Sequence, residues 1–152
     1  MMNLSFEYTF KQIKIEDIES FEKNNGLKLP DDYKSFLLKD NGGKSNRRRF
    51  STKDDVVTSS IMMFFPLSEE TENNLQNSLN YYIKWNKLPS KFIPIGKDPA
   101  DNIICISIHG SDIGSVYHCH TYHIDNEGEL EPKFIRKIAS SFTEFVNELS
   151  EK

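Results

Sequence analysis

The stretch between residues 15 and 43 constrains the fold of this chain more than any other part of its sequence. Apolar residues recur at helical spacing from Ile15 to Phe21, and Gly26 then ends this helix, because glycine readily takes the left-handed cap conformation. Pro30 fits the first position of a second helix, where its missing N–H costs no hydrogen bond. Gly42 and Gly43 stop the second helix and permit backbone angles that other residues resist. The stretch therefore predicts two helices joined by a tight break.

The same stretch carries side chains of the kind that build a core. Tyr33, Phe36 and Leu37 form an apolar stripe on the second helix. Asp31 and Asp32 lie in its first turn, where their negative charges interact favourably with the helix dipole. We therefore expect the residues of this motif to be architectural and not partner-binding: Leu29, Pro30, Tyr33, Phe36, Gly42 and Gly43.

The remainder of the chain predicts strands enclosed by two more helices. Ser141 begins a capping box whose helix buries Phe142 and Phe145. The fold class is α+β, with a central antiparallel or mixed sheet and helices at the N-terminus, the middle and the C-terminus. The other predicted elements are strands at 6–10, 61–67, 92–95, 103–108, 116–124 and 134–138, a middle helix from Ser68 to about Leu88, and an acidic turn at 125–132.

Size and charge narrow the class of protein. At 152 residues and 37% hydrophobic composition, residues 1–152 can form one domain with its own core. The formal net charge of −4 argues against a general nucleic-acid binder and suits a basic protein partner. Neither a signal peptide nor a membrane-spanning run is recognisable, so we expect a cytoplasmic protein. Cys105 and Cys119 fit no disulfide framework and read as buried, reduced thiols.

Acidic residues on predicted turns are the main candidates for partner contact. As an exposed surface they would steer a basic partner and pair with its Arg and Lys side chains; alternatively they only keep exposed turns soluble. No histidine or nucleophile is placed to complete an acid–base scheme with them. These residues are Asp98, Asp101, Asp112, Asp125, Glu127, Glu129 and Glu131.

The middle helix contributes one aromatic candidate, Trp85. Helical spacing assigns Tyr82 to the core and places Tyr81 and Trp85 on a different stripe. If exposed, this pair would make a strong interface anchor, but we expect the stripe to be buried elsewhere in the domain.

Two further clusters are given structural interpretations. His118 and His120 share one face of a predicted strand, whereas Cys119 points away and His123 falls out of phase, and the set matches no standard zinc spacing. We therefore predict histidines on a partly exposed strand without a metal. The run from Arg47 to Arg49 is interpreted as a solvated loop. Contact with RNA is disfavoured because only Phe50 lies beside the run to stack a base, and contact with an acidic patch of a partner stays open.

Several ordered motifs resemble the SUKH superfamily over roughly residues 15–149. They are Ile18–Glu22, Gly26–Leu37, Asn41–Gly43, Ile93–Gly96, Asp98–Asn102, Ile103–Ile108, Gly114–His118 and Ser141–Phe145. The resemblance implies an immunity protein that occludes a cognate toxin, most plausibly a basic nuclease (an RNase) of the LXG type, with no catalytic residues and no cofactor. Two alternatives stay open: a non-enzymatic regulatory scaffold of the same superfamily, or a small zinc-dependent protein.

Overall fold

A seven-stranded antiparallel sheet organises the protein. The computed structural model describes residues 4–121, 124 and 129–151. Within these residues the sheet has the strand order β1-β2-β5-β6-β7-β8-β9, and a separate two-stranded hairpin is formed by β3 and β4. The α+β class and the predicted antiparallel sheet are thus confirmed. The strands are β1 (Phe6–Phe10), β2 (Asn41–Ser45), β3 (Arg49–Ser51), β4 (Thr58–Ser60), β5 (Met63–Phe64), β6 (Phe92–Lys97), β7 (Ile103–Ser107), β8 (Val116–Cys119) and β9 (Ile135–Ala139).

Four helices pack around the sheet in the described part of the chain. They are α1 (Ile15–Asn25), α2 (Asp31–Lys39), α3 (Leu75–Ser78), which continues into a π-helical segment (Leu79–Lys84), and α4 (Phe142–Glu148); a short 3₁₀ turn (Pro132–Phe134) precedes β9. The predicted helix pair at the N-terminus is confirmed, with Gly26 left-handed at φ 63°. Pro30, however, caps α2 from outside instead of occupying its first turn.

The segment predicted to stop α2 is itself a strand, β2, in the interior of the sheet. Gly42 and Gly43 have φ values of 68° and 109°, as their predicted role in backbone geometry requires. A Cβ atom on Gly43 would lie 2.1 Å from the carbonyl oxygen of Tyr8, and one on Gly42 would lie 2.7 Å from that of Phe64. The two glycines therefore let β1 and β5 approach β2 closely, a long-range constraint that a helix-stop interpretation does not include.

The middle helix begins at Leu75 instead of Ser68. The Ser68 hydroxyl accepts from the Glu70 N–H, and the Thr71 hydroxyl accepts from the Asn73 N–H. Such local side-chain bonds offer the backbone an alternative to helix, and the helix starts only where Asn74 caps it. Strand β8 also ends at Cys119, before the predicted boundary, and the run from Arg47 to Arg49, interpreted as a solvated loop, reaches into β3.

An aromatic core joins α2, α4 and the sheet. Phe36 lies between Phe64 and Phe142, with ring centroids 4.9 Å from each. The predicted cap of α4 forms, because the Ser141 hydroxyl accepts from the Glu144 N–H at 3.0 Å. Strand β7 is buried along its whole length, as expected of a strand covered on both faces.

The two edges of the sheet differ. At the β9 edge, the hairpin turn lies alongside: the Lys53 N–H donates to the Lys137 carbonyl, and Arg136 pairs with Asp54. At the other edge, β1 pairs with β2 in a register that is interrupted twice.

Candidate partner-binding surface

Trp85 and Tyr81 are exposed on the middle helix, so the expectation that their stripe is buried is wrong. Trp85 is 70% exposed and Tyr81 is 49% exposed. Tyr82 packs against the core, as its spacing predicted. The two exposed rings lie side by side, with centroids 6.1 Å apart.

The way in which the helix ends accounts for this exposure. Between Leu79 and Lys84 the helix is π-helical, with more residues per turn than an α-helix. Asn86 then takes a left-handed conformation at φ 57°. The Asn86 N–H donates to the Ile83 carbonyl oxygen, and the Lys87 N–H donates to the Tyr82 carbonyl oxygen. These two bonds form a Schellman cap, in which Trp85 is the C-cap residue directly after the helix.

The aromatic surface, defined as Tyr81, Trp85 and the adjoining Tyr82, is held by further contacts. Tyr81 meets Tyr82 edge to face at 4.8 Å between centroids. The Lys87 ammonium lies 4.9 Å from the Tyr81 centroid, within cation–π distance. The three rings and the Lys87 ammonium therefore form one continuous set of contacts.

Two of the predicted acidic candidates, Asp101 and Glu129, are exposed as expected. Asp101 has a side chain that is 79% exposed and a left-handed backbone at φ 63°. Burial raises the pKa of Tyr82 to about 12, and the charges of Tyr81, Asp101 and Cys105 add to this shift. The Asp101 carboxylate itself pairs with the Lys97 ammonium at 3.4 Å. Glu129 is exposed too, and its neighbour Leu130 donates a backbone hydrogen bond to Lys87.

The other acidic candidates are placed differently. Glu131 is exposed and pairs with Lys133 at 3.4 Å. Asp125 and Glu127 lie outside the described residues.

Asp98 is not on an exposed turn, contrary to the expectation. It is 3% exposed and accepts from the N–H groups of Ala100 and Asn102, from the Asn102 amide, and from the Ser59 hydroxyl. His118 Nε2 lies 3.0 Å from its Oδ2. Burial tends to raise the pKa of Asp98, but these hydrogen bonds outweigh it and lower the pKa. The side chain ties the 98–102 turn, β4 and β8 together.

Asp112 is likewise engaged within the fold. Its carboxylate accepts from the Lys91 ammonium at 2.8 Å, from the Ser107 hydroxyl, and from the Tyr117 hydroxyl. Although desolvation works in the opposite direction, these bonds hold the pKa of Asp112 well below its usual range. Because these three groups already bind the Asp112 carboxylate, it has little capacity left to bind a partner protein.

His118 is buried, not partly exposed as predicted. It is 2% exposed and packs against Phe50, with ring centroids 6.1 Å apart. Since an ionised Asp98 can only accept, His118 Nε2 carries the proton, and its Nδ1 has no hydrogen-bond partner among the described residues. The sequence hypothesis did not foresee this carboxylate–histidine pair. Its burial gives a substrate no access.

The remaining His and Cys candidates do not assemble into a metal site in the described part of the chain. No group of three or more His, Cys, Asp or Glu side chains there could hold an ion. His123 lies outside that part. Cys105 and Cys119 are free and fully buried, as predicted, with sulfur atoms 3.9 Å apart.

The arginine run belongs to the framework of the fold. The Arg47 guanidinium donates to the Leu149 carbonyl, and that of Arg48 donates to Glu7 and to the Ser45 carbonyl. Arg49 forms a backbone bridge to Ser150.

An open groove of about 890 Å³ lies between α1, the 67–70 segment and the start of α3. Its floor includes Phe21 and Leu67, and three carboxylates against one lysine line its walls: Asp17, Glu69, Glu70 and Lys11. The acidic balance of these walls does not suit a phosphate or a nucleic-acid backbone.

A comparison with protein-family models identifies the family of this chain. Residues 12–148 match the model of the SMI1 / KNR4 family (SUKH-1). The chain belongs to the SMI1/KNR4 family. Membership of this SUKH-1 family is typical of toxin immunity proteins. A search of curated proteins found no significant match. Among the described residues of this SMI1/KNR4 protein, none of the helices has the length and apolar character needed to cross a bilayer.

Proposed function

We propose that this chain is an immunity protein that binds a toxin made by the same bacterial cell and neutralises it by covering its active surface. The observation that carries the proposal is the family match over residues 12–148. Catalysis and a cofactor have no part in this mechanism, which depends on complementary shape and charge. The whole chain, residues 1–152, acts as one unit in the cytoplasm.

The toxin is a basic nuclease, most simply an RNase of the LXG type. A resemblance in length and character to YobK, a bacterial immunity protein paired with such a nuclease, motivates this choice. The net charge of −4 supports it, because an acidic protein attracts a cationic domain and speeds its association. The contact surface in this proposal is the aromatic surface, with Trp85, together with the exposed carboxylates of Asp101, Glu129 and Glu131. Asp125 and Glu127 are proposed as partner contacts from the sequence alone.

Co-expression tests the proposal. The toxin gene that neighbours the gene of this chain is induced in a sensitive host, with and without the chain. We expect the chain to restore growth, and the purified chain to inhibit RNA cleavage by the toxin at a one-to-one ratio. If the chain accumulates in folded form and growth is still lost, the proposal is wrong.

A further inference from the structure

The open groove between α1, the 67–70 segment and the start of α3 has room for part of a partner chain. Its volume of about 890 Å³ is close to the upper end of the range for ligand sites, about 300–1,000 Å³. The side-chain amides of Asn25 and Gln76 exchange two hydrogen bonds, at 2.8 and 3.0 Å, and Glu70 Oε1 accepts from the Lys11 N–H. These contacts join the two sides of the groove, so both walls belong to the framework of the fold.

The negative charge of the groove is not compensated within the described part of the chain. Asp17, Glu69 and Glu70 are exposed, and none of them forms an ion pair with a described lysine or arginine. Asp17 and Glu70 accept only from neutral donors, such as the backbone N–H groups of Lys14 and Lys11. Lys11 is the one cation among the described residues that line the groove. Three carboxylates against one ammonium leave two negative charges for a partner to neutralise.

The acidic candidates on the turns differ from the groove in this respect. Three of them already have a lysine of the fold as their partner: Asp101, Asp112 and Glu131. A partner protein has to break such an ion pair before it can bind the carboxylate, whereas the carboxylates of the groove carry no such cost. The groove therefore attracts a basic partner more strongly than these three carboxylates do.

Positive side chains carried on a peptide fit this groove better than a metal ion or an anion does. In the part of the chain that the structure describes, no three carboxylates lie close enough together to hold a metal ion, so those of the groove act at separate points. Uncompensated carboxylates repel phosphate groups, including those of RNA. Lysine and arginine side chains spaced along a segment can each reach one carboxylate, while its apolar parts contact Phe21 and Leu67.

We propose that the groove receives a basic segment of the partner toxin, whose lysine and arginine side chains pair with Asp17, Glu69 and Glu70. This inference rests on the proposed function and adds a second contact to the aromatic surface. The two sites share one element, because the helix that supplies Gln76 to the groove continues to Lys84, next to Trp85.

Variants without the charge of the groove test this proposal. Glu69→Gln combined with Glu70→Gln removes two charges and keeps the oxygen that accepts from the Lys11 N–H. Asp55→Asn combined with Glu151→Gln is the matched control, because it removes the same charge from exposed positions outside the groove. At low ionic strength, we expect the association rate constant for the toxin encoded beside this chain to fall about tenfold in the groove variant and less than about twofold in the control. Surface plasmon resonance measures both rates, and thermal unfolding checks that each variant is folded.

Two further measurements test occupation of the groove itself. Ser20 lines the groove, so Ser20→Arg places a positive side chain in it and should weaken binding of the toxin about tenfold. Val56→Arg is the matched control, because it adds the same charge at a position that is 62% exposed on the hairpin. Without the toxin, a synthetic peptide of six arginines should shift the amide NMR signals of residues 17–24, 67–70 and 76–77, and a peptide of six glutamates should not.

The outcomes separate this inference from the proposed function. If the wild-type chain does not bind the toxin, the proposed function fails and the inference falls with it. If the toxin binds and both groove variants behave like the wild type, only the inference is wrong. An equal loss in the charge variant and its control would mean that net charge alone attracts the toxin, which also refutes the inference. Shifts of the groove signals by an RNA oligonucleotide, or shifts by the arginine peptide only elsewhere in the protein, would refute the basic occupant.

Discussion

Removal of the Asp98 carboxylate should destabilise the protein strongly. Asp98→Ala leaves three buried donors without an acceptor: the His118 Nε2–H and the backbone and side-chain N–H groups of Asn102. Each buried donor without an acceptor costs about 1–3 kcal/mol. We expect a loss of about 3–5 kcal/mol in the free energy of unfolding, toward the low end of the sum because water can enter the vacated space.

Asp98→Asn is the matched control for charge. It keeps the shape and one acceptor oxygen, so we expect it to cost about 1–2 kcal/mol, less than the alanine variant. Since the pKa of Asp98 is lowered in the folded protein, the wild-type carboxylate stabilises the fold above its unfolded pKa, about 4. That contribution disappears as the pH falls through the folded pKa. The stability difference between wild type and Asp98→Asn should therefore shrink in acid.

Urea unfolding followed by far-UV circular dichroism measures these differences. Tryptophan emission is a poor probe of unfolding here, because Trp85 is already 70% exposed in the folded protein. A cost below about 1 kcal/mol for Asp98→Ala would refute the reasoning, since it would mean that the donors find other partners. A stability difference for Asp98→Asn that stays constant from neutral to acid pH would refute the electrostatic part.

Three other substitutions test separate features of the fold. Gly43→Ala should prevent stable folding or sharply lower the urea midpoint of unfolding, because the added Cβ atom would clash with backbone atoms. Gly26→Ala has open space around it and should cost only about 1–2 kcal/mol in the free energy of unfolding. Urea unfolding of the two variants compares these costs. Burial and the Asp112 carboxylate raise the pKa of Tyr117 to about 12, so Asp112→Asn should lower the pKa of Tyr117. Ultraviolet titration of the phenol measures this pKa, and an unchanged value in the variant would contradict the prediction. Tyr33→Phe should be neutral or stabilising, since the buried Tyr33 hydroxyl has no partner in the described residues, and a loss above about 1 kcal/mol would indicate a hidden hydrogen bond.

Local signals predicted the parts of the fold that local chemistry decides. The left-handed cap at Gly26 and the cap of α4 at Ser141 depend on neighbours within one helical turn, and both form. The start of the middle helix was missed although its cause is local as well. Hydroxyl bonds around Ser68 and Thr71 compete with helix at a cost that apolar spacing does not reveal.

Contacts between residues that are distant along the chain could not be predicted from the sequence. Gly42 and Gly43 read as a helix stop because nothing nearby in the chain indicates that β1 and β5 will lie against them. Asp98 and His118 are 20 residues apart and meet only because β6, β7 and β8 pair in sequence. Helical spacing separated Trp85 from the core residue Tyr82, but spacing within one helix does not show whether a distant element covers the Trp85 stripe.

The two edges of the sheet have a consequence for how this protein can be recognised. The hairpin turn lies along β9, and two register irregularities interrupt β1. Both devices discourage another chain from adding a strand. We therefore expect a binding partner to recognise this protein through side-chain contacts and not by adding a strand to either edge of the sheet.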